Sequence, residues 1–169
     1  MDEEMEKRIT CCFTGHRPQH LAWGWNENAE DCRKLKRKIY DVAEALYDAG
    51  IRRFLCGMAI GCDTYFCEEI LRLRERYTDV TIEAVLPCED QDSRWTRETR
   101  KRYHALLEAC DRVIILQREY TPGCMQRRNV YMVEKSSVLI AVYQGTAGGT
   151  QNTVRYAQKH GLEAIMLYP

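Results

Sequence analysis

Four segments of this sequence carry residue types suited to holding an anion. The first is Thr14-Gly15-His16-Arg17-Pro18. Gly15 lets the chain turn, and Arg17 offers a forked cation that matches phosphate or carboxylate. The same stretch also fits a tight turn with a solvated Arg17, and His16 could simply cap a backbone carbonyl. The second is Gly57-Met58-Ala59-Ile60-Gly61-Cys62-Asp63. Asp63 suits ribose hydroxyls, and it equally suits a helix start, where the dipole favours an acid. The third is Gly145-Thr146-Ala147-Gly148-Gly149-Thr150. Backbone N–H groups of such a loop, at a helix N-terminus, can cradle a phosphate. It lacks the lysine of a P-loop, and no G-x-x-x-x-G-K-[ST] occurs in the chain; a merely flexible turn is the alternative. The fourth is Pro87-Cys88-Glu89-Asp90-Gln91-Asp92 with Trp95. It offers a stacking ring and carboxylates, or an acidic, solvated helix start. Trp23 and Trp25, in the long loop from 14 to 26, suit a lid or a subunit contact better than base stacking.

These segments need a frame, and the hydrophobic pattern supplies one. Apolar runs predict strands at 9–13, 54–56, 80–86, 113–116, 138–143 and 164–167. Between them, Leu35, Ile39, Val42 and Leu46 repeat at helical spacing, as do Phe66, Ile70, Leu73 and Tyr77. Asn26 or Asn28 is expected to cap the first of these helices, and Gly50 to end it. A polar helix is expected from about Ser93 to Cys110. Thr121-Pro122 is expected to open another, and Thr150 to cap the last. Continuous apolar strands alternating with amphipathic helices mean a parallel sheet covered on both faces. The expected fold is therefore a Rossmann-like three-layer α/β/α sandwich, with a mainly parallel sheet of about six strands, in one domain over residues 1–169.

Loop composition then places the site. Of ten glycines, eight (positions 15, 24, 57, 61, 123, 145, 148 and 149) fall in strand-to-helix connections, as do Pro18, Pro87 and Pro122. In an open parallel sheet, ligands bind outside the carboxyl ends of the strands. All four segments open on that rim.

Composition removes several function classes. Twenty-five basic residues balance 25 acidic ones. That balance argues against a dedicated nucleic-acid binder, whose affinity comes from uncompensated Lys and Arg. The basic run Arg33–Lys38 reads as a solvated helix face. No apolar stretch approaches the roughly 18–20 residues needed to cross a bilayer, and Met1–Arg8 is charged and does not read as a signal peptide. None of the nine cysteines is spaced C-x-x-C. They read as reduced, small hydrophobes of a cytoplasmic protein, with no metal and no cofactor expected. The first strand lacks G-x-G-x-x-G, which argues against a dehydrogenase.

In combination the motifs resemble the YpsA-like family of the SLOG superfamily. The matching residues are Thr-Gly-His-Arg-Pro at 14–18, Gly57-x-Ala59-x-Gly61-x-Asp63, Pro87, Arg128-Asn129-x-x-Met132-Val133 and Gly148-Gly149-Thr150. The resemblance spans about residues 8–168. It implies a Rossmann-like fold that binds a nucleotide or nucleotide-derived ligand, with no established reaction. The superfamily also contains the LOG phosphoribohydrolases, which cleave the N-glycosidic bond of nucleotide monophosphates, and the DprA/Smf proteins. Met125, Arg128, Met132, Gly149 and Thr150 fit the LOG pattern. Asn129 replaces its Lys, Thr153 stands where its Glu belongs, and the Pro-Gly-Gly opening is absent.

The resemblance therefore implies a ligand-sensing module. Phosphate would lie on the N–H groups of Gly148 to Thr150, helped by Arg17 and Arg128, with Asp63 holding ribose hydroxyls. The alternative is an N-glycosidic hydrolase or transferase, for which Asp63 or Glu89 would have to replace the missing glutamate. Single-stranded DNA binding in the manner of DprA is a weaker third reading. A homodimer is expected by analogy with the superfamily.

Overall fold

Every apolar run becomes a strand of one sheet. The computed structural model describes residues 1–169. In chain order the elements are α1 (Glu3–Arg8), β1 (Thr10–Gly15), a 3-10 turn (Pro18–His20), α2 (Glu30–Asp48), β2 (Arg53–Cys56), α3 (Cys62–Arg76), β3 (Thr81–Leu86), α4 (Arg97–Ala109), β4 (Arg112–Ile115), α5 (Cys124–Glu134), β5 (Val138–Val142), α6 (Gly149–Lys159) and β6 (Glu163–Leu167). The six strands lie in the order β4-β3-β2-β1-β5-β6, and every pairing is parallel. This is the Rossmann-like three-layer arrangement that the sequence pattern predicts.

Side-chain alternation along the strands divides the core into two layers. Cys11, Phe13, Phe54, Cys56, Ile82, Ile140 and Val142 face one side, where α2, α3 and α4 cover them. Cys12, Leu55, Val85, Leu139 and Ala141 face the other, against Met132 and Val133 of α5 and Val154 and Ala157 of α6. Phe13 stacks on Phe66 at 4.4 Å between ring centres, tying β1 to α3. The expectation of cover on both faces fails at the two edge strands, β4 and β6, where Met166 of β6 is 42% exposed. On β4, Val113 and Ile115 remain 40% and 46% exposed.

The strand order reverses between β1 and β5. From β1 the chain passes to α2 on one face; from β5 it passes to α6 on the opposite face. The register pairs Gly15 with Val142, so both strands end level. Two chains leaving level strand ends for opposite faces open a crevice between them, where ligands of such sheets bind.

Helix starts differ from expectation in four places. Asn26 turns its side chain to the N–H of Asn28 (3.2 Å), so neither asparagine caps α2, which begins after Ala29. The polar helix starts four residues late, at Arg97, where Thr96 accepts from the N–H of Thr99. Thr121-Pro122 forms a turn, and α5 begins after Gly123 in the left-handed region (φ 82°). Thr150 lies inside α6, whose N-cap is Gly148. Helix α1, capped by Asp2, has no buried residue and hence no periodicity to reveal it. No helix is long and apolar enough to cross a membrane.

Candidate functional site

A cavity of about 390 Å³ occupies the crevice at the ends of β1 and β5. The loop after β1 gives it Thr14, Gly15, His16 and Arg17. The turn into α6 gives it Thr146 to Thr150, with Asn152 one turn on. Helix α5 contributes Arg128 and Asn129, and the start of α3 contributes Asp63 with Ala59 beside it. Segments far apart in sequence thus converge on one space.

The floor of the cavity at α6 is an open set of donors. The first N–H groups of a helix have no intrahelical acceptor. Here no group of the chain accepts from the N–H of Gly148, Gly149 or Thr150. Gly148 has φ 148° and ψ −167°, a conformation essentially restricted to glycine. That conformation lets the chain turn sharply from β5 into the helix. Charge at this end of α6 is positive through the aligned peptide dipoles, so the amides favour an anion.

Two guanidinium groups share the cavity. Arg17 is half-buried, and its guanidinium makes no hydrogen bond or ion pair within the chain. Arg128 is 3% exposed. Its Nη1 donates to the carbonyl of Gly57, and its Nε donates to Asn129 Oδ1 at 2.8 Å. Burial lowers its pKa, and the nearby Asp63 carboxylate opposes that shift. No carboxylate lies within ion-pair distance, so this buried cation is satisfied mainly by neutral acceptors. Such a charge gains from an anion placed beside it.

Asp63 is itself buried, and its Oδ2 accepts from the N–H of Ala59 at 3.0 Å. Burial pushes its carboxyl pKa up, against the pull of Arg128. His16 is buried too. Its Nε2 accepts from the N–H of Gln144 at 3.3 Å, which fixes the loop after β5 against the loop after β1. Burial and the adjacent His20 ring depress its pKa.

The second glycine segment does other work than cradling an anion. The N–H of Cys62, at the start of α3, is used by the carbonyl of His16 at 3.1 Å. Gly57 lies off the cavity, where a Cβ would sit 2.5 Å from the Arg128 guanidinium carbon. Gly61, at φ 93°, would strike the His16 carbonyl at 2.8 Å. These glycines clear space for Arg128 and for the loop after β1. Gly15 lines the cavity and also has no room for a side chain, with Cys62 Cβ 2.6 Å away.

Pro18 falls on a neighbouring cleft, and Pro87 is buried after β3. Glu89 is exposed and does not line the cavity; its N–H donates to the carbonyl of Arg118. Of the two candidate acids, only Asp63 therefore reaches the site. Thr153, at the position of the LOG glutamate, is buried, and its hydroxyl donates to the carbonyl of Gly149 at 2.9 Å. Sequence reasoning misses His20, Gln126 and Tyr120, which also line the cavity. Tyr120 could have been found from its place after β4, on the same rim as the other loops.

The profile of the YspA SLOG family matches residues 11–166. This chain belongs to that family. Among its relatives, the uncharacterised SPbeta prophage-derived protein YoqJ of Bacillus subtilis is 30% identical over 139 residues, covering 75% of this chain and 81% of that protein. A UPF0398 protein of Halalkalibacterium halodurans is 27% identical, covering 82% of this chain and 74% of its own length. The solved structure of DNA processing protein A from Helicobacter pylori, described for its single-stranded DNA binding mode, aligns with a TM-score of 0.63. It covers 98% of this chain and 67% of that one at 16% identity. At that identity the likeness shows the SLOG chain's fold alone.

Proposed function

We propose that this SLOG-family chain is a single-domain sensor of a nucleotide or nucleotide-derived ligand, bound through its phosphate at the β1/β5 crevice. The observation that carries the reading is the set of unspent N–H groups of Gly148, Gly149 and Thr150. These residues line the same cavity as the unpaired Arg17 and the buried Arg128. Phosphate oxygens would accept from these amides and from Arg17 in its forked geometry. Asp63, beside them, would accept from ribose hydroxyls. Asn129 orients Arg128. The reading places the protein in the cytoplasm as a homodimer, with occupancy changing a subunit or partner contact.

Isothermal titration with a panel of nucleoside mono-, di- and triphosphates tests it. Arg17→Ala should weaken any binding by about 1.5–3 kcal/mol, the range for a hydrogen bond to a charged group. Absence of binding by the unmodified protein at millimolar ligand would overturn the reading.

A second reading, N-glycosidic cleavage, is favoured by one observation: a buried carboxyl with a raised pKa, Asp63, lies in the cavity. A buried carboxyl in a cavity is a candidate proton donor or acceptor. Release of free base from a nucleoside monophosphate, lost in Asp63→Asn, would support it. The DNA-binding neighbour brings strand binding as a third reading, which the balanced charge opposes.

A further inference from the structure

A second cleft, of about 200 Å³, lies across a thin ridge from the cavity. Sequence neighbours divide between the two spaces. Arg17, Ala59 and Asp63 line the first, and Pro18, Ile60 and Thr64 line the second. Consecutive Cα atoms are only about 3.8 Å apart. The ridge is therefore one backbone thick, closed where Pro18 Cδ packs within 2.9 Å of the Cβ direction of Gly61.

The second cleft has the opposite chemistry. Its walls include Trp25, Tyr65, Trp95 and Tyr103. Tyr65 and Tyr103 are buried, while Trp25 is left 64% exposed, a large apolar ring with no partner of its own. The frame is rigid. Trp95 meets Tyr103 edge-on at 5.0 Å, and Trp23 Nε1 donates to the Tyr65 hydroxyl at 3.2 Å. The one cation on its wall, Arg102, is already spent on Glu27 (2.6 Å) and Glu68 (2.5 Å). The Glu98 carboxylate makes no hydrogen bond or ion pair within the chain. Glu27 is in turn neutralised by Arg102 and Lys36, so Glu98 is the one uncompensated charge on the wall, and an aromatic cleft with a free carboxylate disfavours phosphate. It suits a flat ring with N–H donors along one edge, and its volume fits one ring system, since whole-ligand sites run to roughly 300–1,000 Å³.

We infer that this cleft receives a nucleobase, stacked on Trp25 and Trp95 with its N–H edge toward Glu98. The ligand then lies across the Arg17–Pro18 ridge, phosphate on one side and base on the other. The inference deepens the phosphate-binding reading and rests on it for the ligand class. Sequence position alone favours a lid or a subunit contact for Trp25; its open ring on the same cleft as the Trp95–Tyr103 pair favours stacking.

All three tryptophans of the chain belong to this cleft or its frame, so intrinsic fluorescence reports its occupancy. Guanosine, which has no phosphate, should quench the emission saturably. Trp25→Ala and Glu98→Gln should each weaken that response about tenfold. Trp25 is exposed, so its removal leaves the core intact. Arg17→Ala should leave the guanosine response unchanged while weakening the binding of inorganic pyrophosphate. A short single-stranded oligonucleotide, run beside guanosine monophosphate, shows which source of base binds better, and either result supports the base site. Quenching that rises linearly, or that persists equally in Trp25→Ala, would overturn it while leaving pyrophosphate binding to stand. Loss of the pyrophosphate signal in the unmodified protein would overturn the phosphate reading separately. A dimer that dissolves in Trp25→Ala, with no response to guanosine, would give the cleft to a second copy of the chain and overturn the inference.

Discussion

A buried arginine is expensive to keep, and the residues around Arg128 are arranged to keep it. Gly57 offers both a carbonyl acceptor and the space its own missing side chain leaves. Gly57→Ala should therefore destabilise the fold by about 1–3 kcal/mol, the usual cost of overpacking. Urea denaturation reads this, and an unchanged midpoint would refute the role given to Gly57. Nothing in the local sequence shows that role, because the contact joins positions 57 and 128. The glycine was legible; its reason was not. His16 gives a pH dependence. Its neutral ring accepts from the Gln144 amide, and its folded pKa lies below the ordinary 6.5. The unfolded chain therefore binds the proton first. The stability this group contributes is complete above about pH 6.5 and is lost as pH falls through the lower folded value. Urea midpoints should fall between pH 7.5 and pH 5 by less in His16→Gln than in the unmodified protein. Parallel curves for the two would contradict the assignment.

Helices with a periodic apolar face were legible, and their starts were not. The Leu35–Leu46 and Phe66–Tyr77 spacings foretell α2 and α3 because burial against the sheet imposes the period. Caps depend on which of several competing local bonds forms. At α2 the Asn26 side chain closes a turn instead. At α6 the cap is a glycine whose backbone, rather than its side chain, matters. Thr96 and Gly148 separate structure from binding. Thr96→Ala removes the side-chain cap of α4 and should cost about 1 kcal/mol of stability, with the affinity for inorganic pyrophosphate, which occupies only the β1/β5 crevice, unchanged. Gly148→Ala strains a backbone at φ 148° by about 1–3 kcal/mol and reaims the amides of α6. It should weaken phosphate binding as well as lower the melting temperature. Equal affinity in Gly148→Ala and the unmodified chain would detach the α6 turn from the site.

At the scale of the whole molecule, the strand order decides where chemistry can occur. Reversal between β1 and β5 leaves one crevice, and the glycine-rich loops crowd the rim on which it opens. That rim was legible from loop composition, and the motif resemblance named the same segments. The aromatic cleft beside it was not, because Trp25, Tyr65 and Trp95 come together only through the packing of the 16–29 loop on α3 and α4. The balanced charge has a consequence at this scale. With no excess of Lys and Arg, any affinity for single-stranded DNA should show only a shallow dependence on salt. A steep loss of gel-shift binding between about 50 and 200 mM salt would return the strand-binding reading to the front. The central claim is that open amides at the start of α6 receive an anion. Amide resonances followed by NMR during titration with inorganic pyrophosphate test it most directly. Gly148, Gly149 and Thr150 should shift together and saturate, with Arg17 moving on the same curve. Shifts absent from these residues, or scattered over the surface without saturation, would contradict it.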